Sequence, residues 1–187
     1  RDITLSRDNR VKGLMTQEKL YILDDKLGTA SPNQVVKAYY YDDKARVIQI
    51  ATRNKYKRVS RESYKYDFKG NVIVRQEIHE TSSTRADSLL LTFNYDHASR
   101  VISSTAKLNN GILASVEYSY DDLGQVKTKK YGYGSNAINQ TMQYNIRGWL
   151  EGQSSELFET RLRYNVPLLA GTRASYSGNI SEWVPMP

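Results

Sequence analysis

Five octamers recur in register along the chain: "YDDKARVI" at 41, "YDFKGNVI" at 66, "YDHASRVI" at 95, "YDDLGQVK" at 120 and "YNIRGWLE" at 144. Their starts lie 25, 29, 25 and 24 residues apart, and near-constant spacing in this range marks an architecture built by repetition. A shorter copy, "YSGNIS" at 176, counts as degenerate. The repeat is clear over residues 36–153 and degenerate over 154–187, and the whole chain reads as one domain.

A partner two residues upstream accompanies each octamer. Tyr39 precedes Tyr41, Tyr64 precedes Tyr66, Phe93 precedes Tyr95, Tyr118 precedes Tyr120 and Met142 precedes Tyr144, and Leu162 with Tyr164 continues the habit. A spacing of two puts both side chains on one face of a strand. The residues between are Tyr40, Lys65, Asn94, Ser119, Gln143 and Arg163. This alternation predicts antiparallel strands with one buried face and an opposite face that is mostly polar.

The second half of the octamer has the chemistry of a chain reversal. Asp42, Asp67, Asp96, Asp121 or Asn145 opens it, and such a residue bonds backbone amides just downstream. Two unrestricted positions follow, and then Gly70, Gly124 or Gly148 supplies a positive φ. The pattern predicts a type I turn closed by a G1 bulge. Ala45 and Ser99 occupy the glycine position in two copies, so those turns either carry about 1 kcal/mol of strain or use another corner. Return strands begin at Val47, Val72, Val101, Val126 and Leu150.

The connectors "TRNKYK", "ETSSTRADS", "LNNGI" and "YGYGSNAIN" also read as turns. The fold class that follows is all-β, a meander of consecutive hairpins in one long, strongly twisted or curled sheet of about twelve strands. In "TQEKLYILDDKL" the helical spacing of Leu20, Leu23 and Leu27 competes with a short strand at "LYIL", and the neighbouring strands favour the latter. In "SSELFETRLRY" a helix capped at Ser154 or Ser155 competes evenly with a strand.

Composition agrees with this reading. Fifteen tyrosines against 3 phenylalanines and 2 tryptophans suit half-buried pleated surfaces. Cysteine is absent, which removes disulfides and thiolate metal sites. No apolar run reaches the length of a membrane-spanning helix, so no membrane span is expected. The chain opens with "RDITLSRDNR", which lacks a signal-peptide core, and it begins at Arg1, so it is read as part of something longer. A net charge of +7 allows attraction to anionic partners, although charged side chains also simply cover a solvated sheet face.

At "YDFKGNVI" and "YDDLGQVK" the sequence resembles the YD-repeat, or Rhs-repeat, family, and "YNIRGWLEGQ" with "LRYN" and "YSGNIS" resembles the Rhs-associated core of Bacteroidetes-type surface proteins. The resemblance covers about residues 36–182. It implies a segment of a secreted or cell-surface bacterial protein whose hairpins build a shell or scaffold around a toxin or other cargo domain. The expected partners are then the rest of the parent chain, the enclosed cargo and, for an isolated segment, further copies of itself. The stretch "SEWVPMP" lacks the acidic "DP" segment used for self-cleavage in processed relatives, so neither processing nor toxicity is implied for these residues.

Signals for chemistry are sparse. His79 and His97 sit at a strand end and in a turn. No nucleophile elbow or dinucleotide loop is present, and "GYG" at 132 reads as a turn. The recurring acids could flank a glycosidic bond, yet turn geometry already accounts for their position. No catalytic residue, cofactor or metal is therefore expected. "NQT" at 139 and "NIS" at 179 match the glycosylation sequon. The best binding candidate is the basic, aromatic stretch "RNKYKRVSRESYKY", with Tyr56, Lys57, Arg58 and Arg61 as contacts and Trp149 and Trp183 as stacking platforms. An anionic glycan is the expected ligand of such an adhesion module, and nucleic acid is not, because no nucleic-acid-binding signature accompanies the stretch. Edge protection by Lys and Arg explains the same residues without a ligand.

Overall fold

The computed structural model describes residues 3–21, 34–82, 84–132 and 134–186. The chain is all-β, and its strands follow one another across the sheet in chain order, each antiparallel to the next. They are β1 (Gln17–Tyr21), β2 (Gln34–Tyr41), β3 (Val47–Arg53), β4 (Val59–Tyr66), β5 (Val72–Glu80), β6 (Ala86–Tyr95) and β7 (Val101–Leu108). After them come β8 (Gly111–Tyr120), β9 (Val126–Tyr131), β10 (Ile138–Tyr144), β11 (Leu150–Ser155), β12 (Glu159–Arg163) and β13 (Glu182–Met186). The order is linear, with β1 and β13 at its ends. By contacts the chain divides into two compact units, Arg1–Ser99 with Ser104–Leu113 and Arg100–Ser103 with Ala114–Pro187.

In the first unit, the expected turn forms at every octamer. The Asp42 amide donates to the Arg46 carbonyl at 3.0 Å and the Ala45 amide to the Asp42 carbonyl at 3.2 Å. Asp42 Oδ1 accepts from the amides of Lys44 and Arg46 at 3.0 and 2.9 Å, as the acid at this place requires. Asp67 repeats the pattern with Gly70 and Asn71. The register slips by one residue just before Tyr41 and just before Tyr66, which is the bulge. Ala45 and Ser99 keep the same corner with φ of 61° and 62°, so strain is accepted and the alternative corner is not used.

The connector at 54 turns out to be another member of the same class. Asn54 Oδ1 accepts from the amides of Tyr56 and Arg58, and Lys57 occupies the left-handed corner with φ of 64°. "LNNGI" is a tight hairpin with positive φ at Asn109 and Asn110. Of "TQEKLYILDDKL", residues 17–21 form β1; Leu23 and Leu27 lie outside the described residues.

The second unit repeats the turn at Asp121 with Gly124 and at Asn145 with Gly148, again with the slip before Tyr120 and Tyr144. The helical alternative at "SSELFETRLRY" is not adopted: Ser155 ends β11, its amide bonds the Phe158 carbonyl at 2.8 Å, and β12 follows at once. Pairing to β11 on one side and β13 on the other uses this segment's backbone in ladders. "GYG" leads into one short 3-10 turn, Gly134–Asn136; Tyr133 lies outside the described residues. The degenerate copy at 176 forms no strand, and Tyr176 is exposed.

Beyond its ring, each octamer tyrosine has a second use. The Tyr66 hydroxyl donates to the Val47 carbonyl at 2.7 Å and Tyr95 to Val72 at 2.8 Å in the first unit. Tyr120 donates to Val101 at 2.7 Å, Tyr144 to Val126 at 3.0 Å and Tyr164 to Leu150 at 2.7 Å in the second. Every acceptor is the first residue of the preceding copy's return strand. Tyr41 makes the equivalent bond to the Met15 carbonyl at 2.7 Å, so the segment before β1 stands where an earlier return strand would. The residue after the corner often covers the next tyrosine: the Arg46 guanidinium lies 4.6 Å from the Tyr66 ring centre and that of Arg100 4.5 Å from Tyr120.

Among the described residues, Tyr41, Ile48, Met142 and Tyr164 are the buried apolar side chains. The tyrosine positions thus supply much of this thin core, as alternation predicts. The expected polar face is corrected in the first unit, where Gln49, Ser63 and Gln76 are as deeply buried as the tyrosines. The reason is a cover: residues 3–8 bond to that row, through the Ile3 amide on Gln76 and Arg7 on Gln49.

Candidate functional site

The basic stretch divides on folding. Lys55, Tyr56, Lys57 and Arg58 form the exposed β3–β4 turn, with Tyr56 at 70% exposure and the Lys55 ammonium 5.0 Å from its ring centre. Lys57 is fixed as the corner residue. Arg61 lies on β4 and pairs with Glu80 at 3.7 Å. Tyr64 faces the other side of β4, where its hydroxyl donates to Glu62 at 2.6 Å. Burial and that bond push the Tyr64 phenol up to about 12. Tyr56, Lys57 and Arg58 therefore share one turn, whereas Arg61 is engaged in an ion pair across to β5.

The two tryptophans have different environments. Trp149 follows the Gly148 corner, its amide bonds Asn145 Oδ1 at 3.0 Å, and its ring packs 5.1 Å from that of Tyr164. The Arg147 guanidinium covers it at 5.1 Å, and Gly178 lies so close that a Cβ there would come within 3.3 Å. Half-buried Trp149 thus takes the role that Arg46 and Arg100 play in earlier copies, covering the next tyrosine. Trp183 on β13 is 62% exposed and sits opposite Leu162. No ring contact joins the two tryptophans among the described residues.

The turn acids and His79 are engaged locally. Burial raises Asp42, but the Arg46 amide and guanidinium and the Lys44 amide outweigh it and hold the carboxyl below its ordinary range. Asp67 is held down in the same way by Asn71. His79 Nδ1 lies 2.9 Å from Ser60 Oγ, and the His97 carbonyl accepts from Lys69 at 2.7 Å. Among the described residues no three His, Asp or Glu side chains gather as a metal site.

Two features escape sequence reasoning. Glu62 and Glu77 are direct cross-strand partners, and Arg75 bridges them at 3.3 and 2.6 Å. Like charges opposite one another repel unless compensated, and the arginine two residues before Glu77 was the available signal. In the same unit, Arg7, Asp8, Asp42, Ile48, Tyr64 and Tyr66 border a cavity of about 640 Å³. Several of its charged groups already have partners: Asp8 bonds Arg10, Asp42 bonds Arg46 and Arg7 bonds Gln49. No protein-family model matches the sequence, and no curated protein matches it.

Proposed function

We propose that the chain is a non-enzymatic structural segment of a YD-repeat, or Rhs-repeat, protein. In this reading its hairpins form part of the shell or scaffold of a larger bacterial protein, secreted or displayed at the cell surface, around a toxin or other cargo domain. The observation that carries it is the tyrosine ladder, in which each copy bonds the return strand of the copy before. Such coupling gives every hairpin a mechanical role and asks nothing of a ligand. The recurring acids, the best alternative machinery, are engaged by the amides of their own turns.

The ends of the strand order support the same reading. All of β1 is exposed, Leu20 and Tyr21 included, and Trp183 on β13 is exposed too. Sheet edges of this kind, with no further strand beside them among the described residues, associate. Sedimentation velocity over a wide concentration range tests the proposal: growth of larger species with concentration is expected, and a strictly monomeric chain throughout would count against it.

A second reading, binding of an anionic glycan, is favoured by the exposed turn Lys55–Arg58 with Tyr56 at its tip. A glycan array with sulfated and uronic-acid polymers discriminates. Binding that survives physiological salt and is lost in Tyr56→Ser supports adhesion, while salt-sensitive binding to every polyanion reflects net charge alone.

A further inference from the structure

Tyr40, Gln49, Ser63, Gln76 and Leu90 are successive register partners from β2 to β6, forming one row across the first unit. Gln49, Ser63 and Gln76 are 7%, 4% and 4% exposed. Buried amides in such a row must be bonded, and their nitrogens are tied along the sheet: Gln49 Nε2 donates to Ser63 Oγ at 3.0 Å and Gln76 Nε2 to Ser88 Oγ at 3.2 Å. Both amide groups are thereby oriented, with each Oε1 on the side that residues 3–8 cover.

Residues 3–8 meet both acceptors. The Ile3 amide donates to Gln76 Oε1 at 2.8 Å, and Arg7 Nη2 donates to Gln49 Oε1 at 2.8 Å. The Arg7 guanidinium lies 4.0 Å over the Tyr40 ring centre, and the Asp8 amide bonds the Tyr41 carbonyl at 2.9 Å. Two of these anchors are main-chain amides that any extended peptide offers, and one is an arginine. Past Ile3 the row opens into a cavity of about 390 Å³ bordered by Ser88, Leu90, Lys107 and Asn109.

We propose that this row is a docking track for an extended, arginine-bearing peptide, and that residues 3–8 are its resident occupant. Recognition is of an extended backbone by one side-chain and one main-chain acceptor, with the Tyr40–Gln49 seat selecting arginine. The resident segment holds the track because its tether gives it a high effective concentration, so a free peptide enters only in large excess or when the resident anchor is weakened. The idea is independent of the family reading, since it uses the contacts of this unit alone.

The test uses the full chain and a labelled peptide of sequence RDITLSRD, followed by fluorescence anisotropy. Arg7→Ala in the chain releases the resident, and saturable binding of one peptide per chain is expected, about tenfold or more tighter than to the unsubstituted chain. The peptide carrying alanine in place of its second arginine should bind about tenfold more weakly, and Tyr40→Ala with Gln49→Ala in the same chain should abolish binding. An Arg7→Ala chain with an unchanged circular dichroism spectrum that ignores the peptide overturns the proposal, as does equal binding of the alanine peptide. Should Arg7→Ala disturb folding, hydrogen exchange on the unsubstituted chain decides. Excess peptide is expected to speed exchange at the Ile3 and Asp8 amides, and unchanged protection at saturation overturns the track.

Discussion

Replacing Tyr66 with phenylalanine isolates one rung of the ladder. The ring stays, so the packing and the Arg46 guanidinium above it remain available, and only the hydroxyl bonded to the Val47 carbonyl at 2.7 Å is lost. A neutral hydrogen bond contributes about 0.5–1.5 kcal/mol net, and an acceptor left half-buried places the loss near the middle, about 1 kcal/mol. For a chain of 187 residues this corresponds to a fall of about 2–4 °C in Tm. Tyr95→Phe removes the same bond one copy later, at 2.8 Å to Val72, and should cost the same. The two rungs stand two strands apart, about 10 Å, and share no partner, so the double variant should lose about 2 kcal/mol. Tyr39→Phe is the internal control: its hydroxyl bonds exposed Glu18 at 3.1 Å, and its loss should be close to zero. Urea unfolding of the four variants measures all of this. If Tyr66→Phe and Tyr95→Phe cannot be told from Tyr39→Phe, the hydroxyls are ornaments of the turn and the ladder does not couple the copies.

Two further predictions concern the turns and the pH range. Ala45→Gly and Ser99→Gly should each stabilise by about 0.5 kcal/mol, relief of about 1–2 kcal/mol of left-handed strain minus the added chain entropy of glycine. Gly70→Ala, at φ 97° with nothing within 4 Å of the new Cβ, should destabilise by a similar amount through conformation alone, and chemical denaturation showing all three neutral would remove strain from the account. Stability of the first unit should also fall at both ends of the pH scale. Asp42 and Asp67 are held low in the fold, so their contribution is present above the ordinary carboxylate pKa of about 3.9 and is lost as pH drops through the folded values. Tyr64 is raised to about 12, so its contribution is complete below about 10 and is lost as pH climbs between the two. Urea midpoints against pH, with Tyr64→Phe shrinking the alkaline loss, check the assignment; an alkaline limb indifferent to Tyr64→Phe would refute it.

What could be read in advance divides along physical lines. The strands and turns rest on local chemistry, a spacing of two and an acid that bonds its own backbone, and both are written in consecutive residues. The turn at Asn54 was readable by the same rule, but Arg53 in the tyrosine position and Lys57 for glycine disguised it. The tyrosine hydroxyl bonds were hidden because their partners lie 14 to 26 residues upstream and depend on how far each hairpin is offset from the last. The burial of Gln49 and Gln76 was hidden for another reason. Alternation assigns polar residues to water, and only a cover from a distant, aperiodic segment such as residues 3–8 reverses that assignment. Trp149 looked like a stacking platform because it is aromatic beside a basic residue, whereas its position in the octamer, equivalent to Arg46, was the better guide to its contact with Tyr164.

The equivalence of Arg46 and Trp149 also bears on how such a chain stays folded with so thin a core. Hydrophobic burial alone is a weak source of stability when few apolar side chains are removed from water. Each copy compensates by joining its neighbour through the strand ladder and the tyrosine hydroxyl, and at Tyr66, Tyr120 and Tyr164 also through a cation or ring laid on that tyrosine. These links are all nearest-neighbour, so the stability of a unit is a sum of local terms, with no central core whose loss ends the fold. A single weakened copy should then open locally before its neighbours do, and the copies best joined should be those where all three links occur together, Tyr66 and Tyr164 among them.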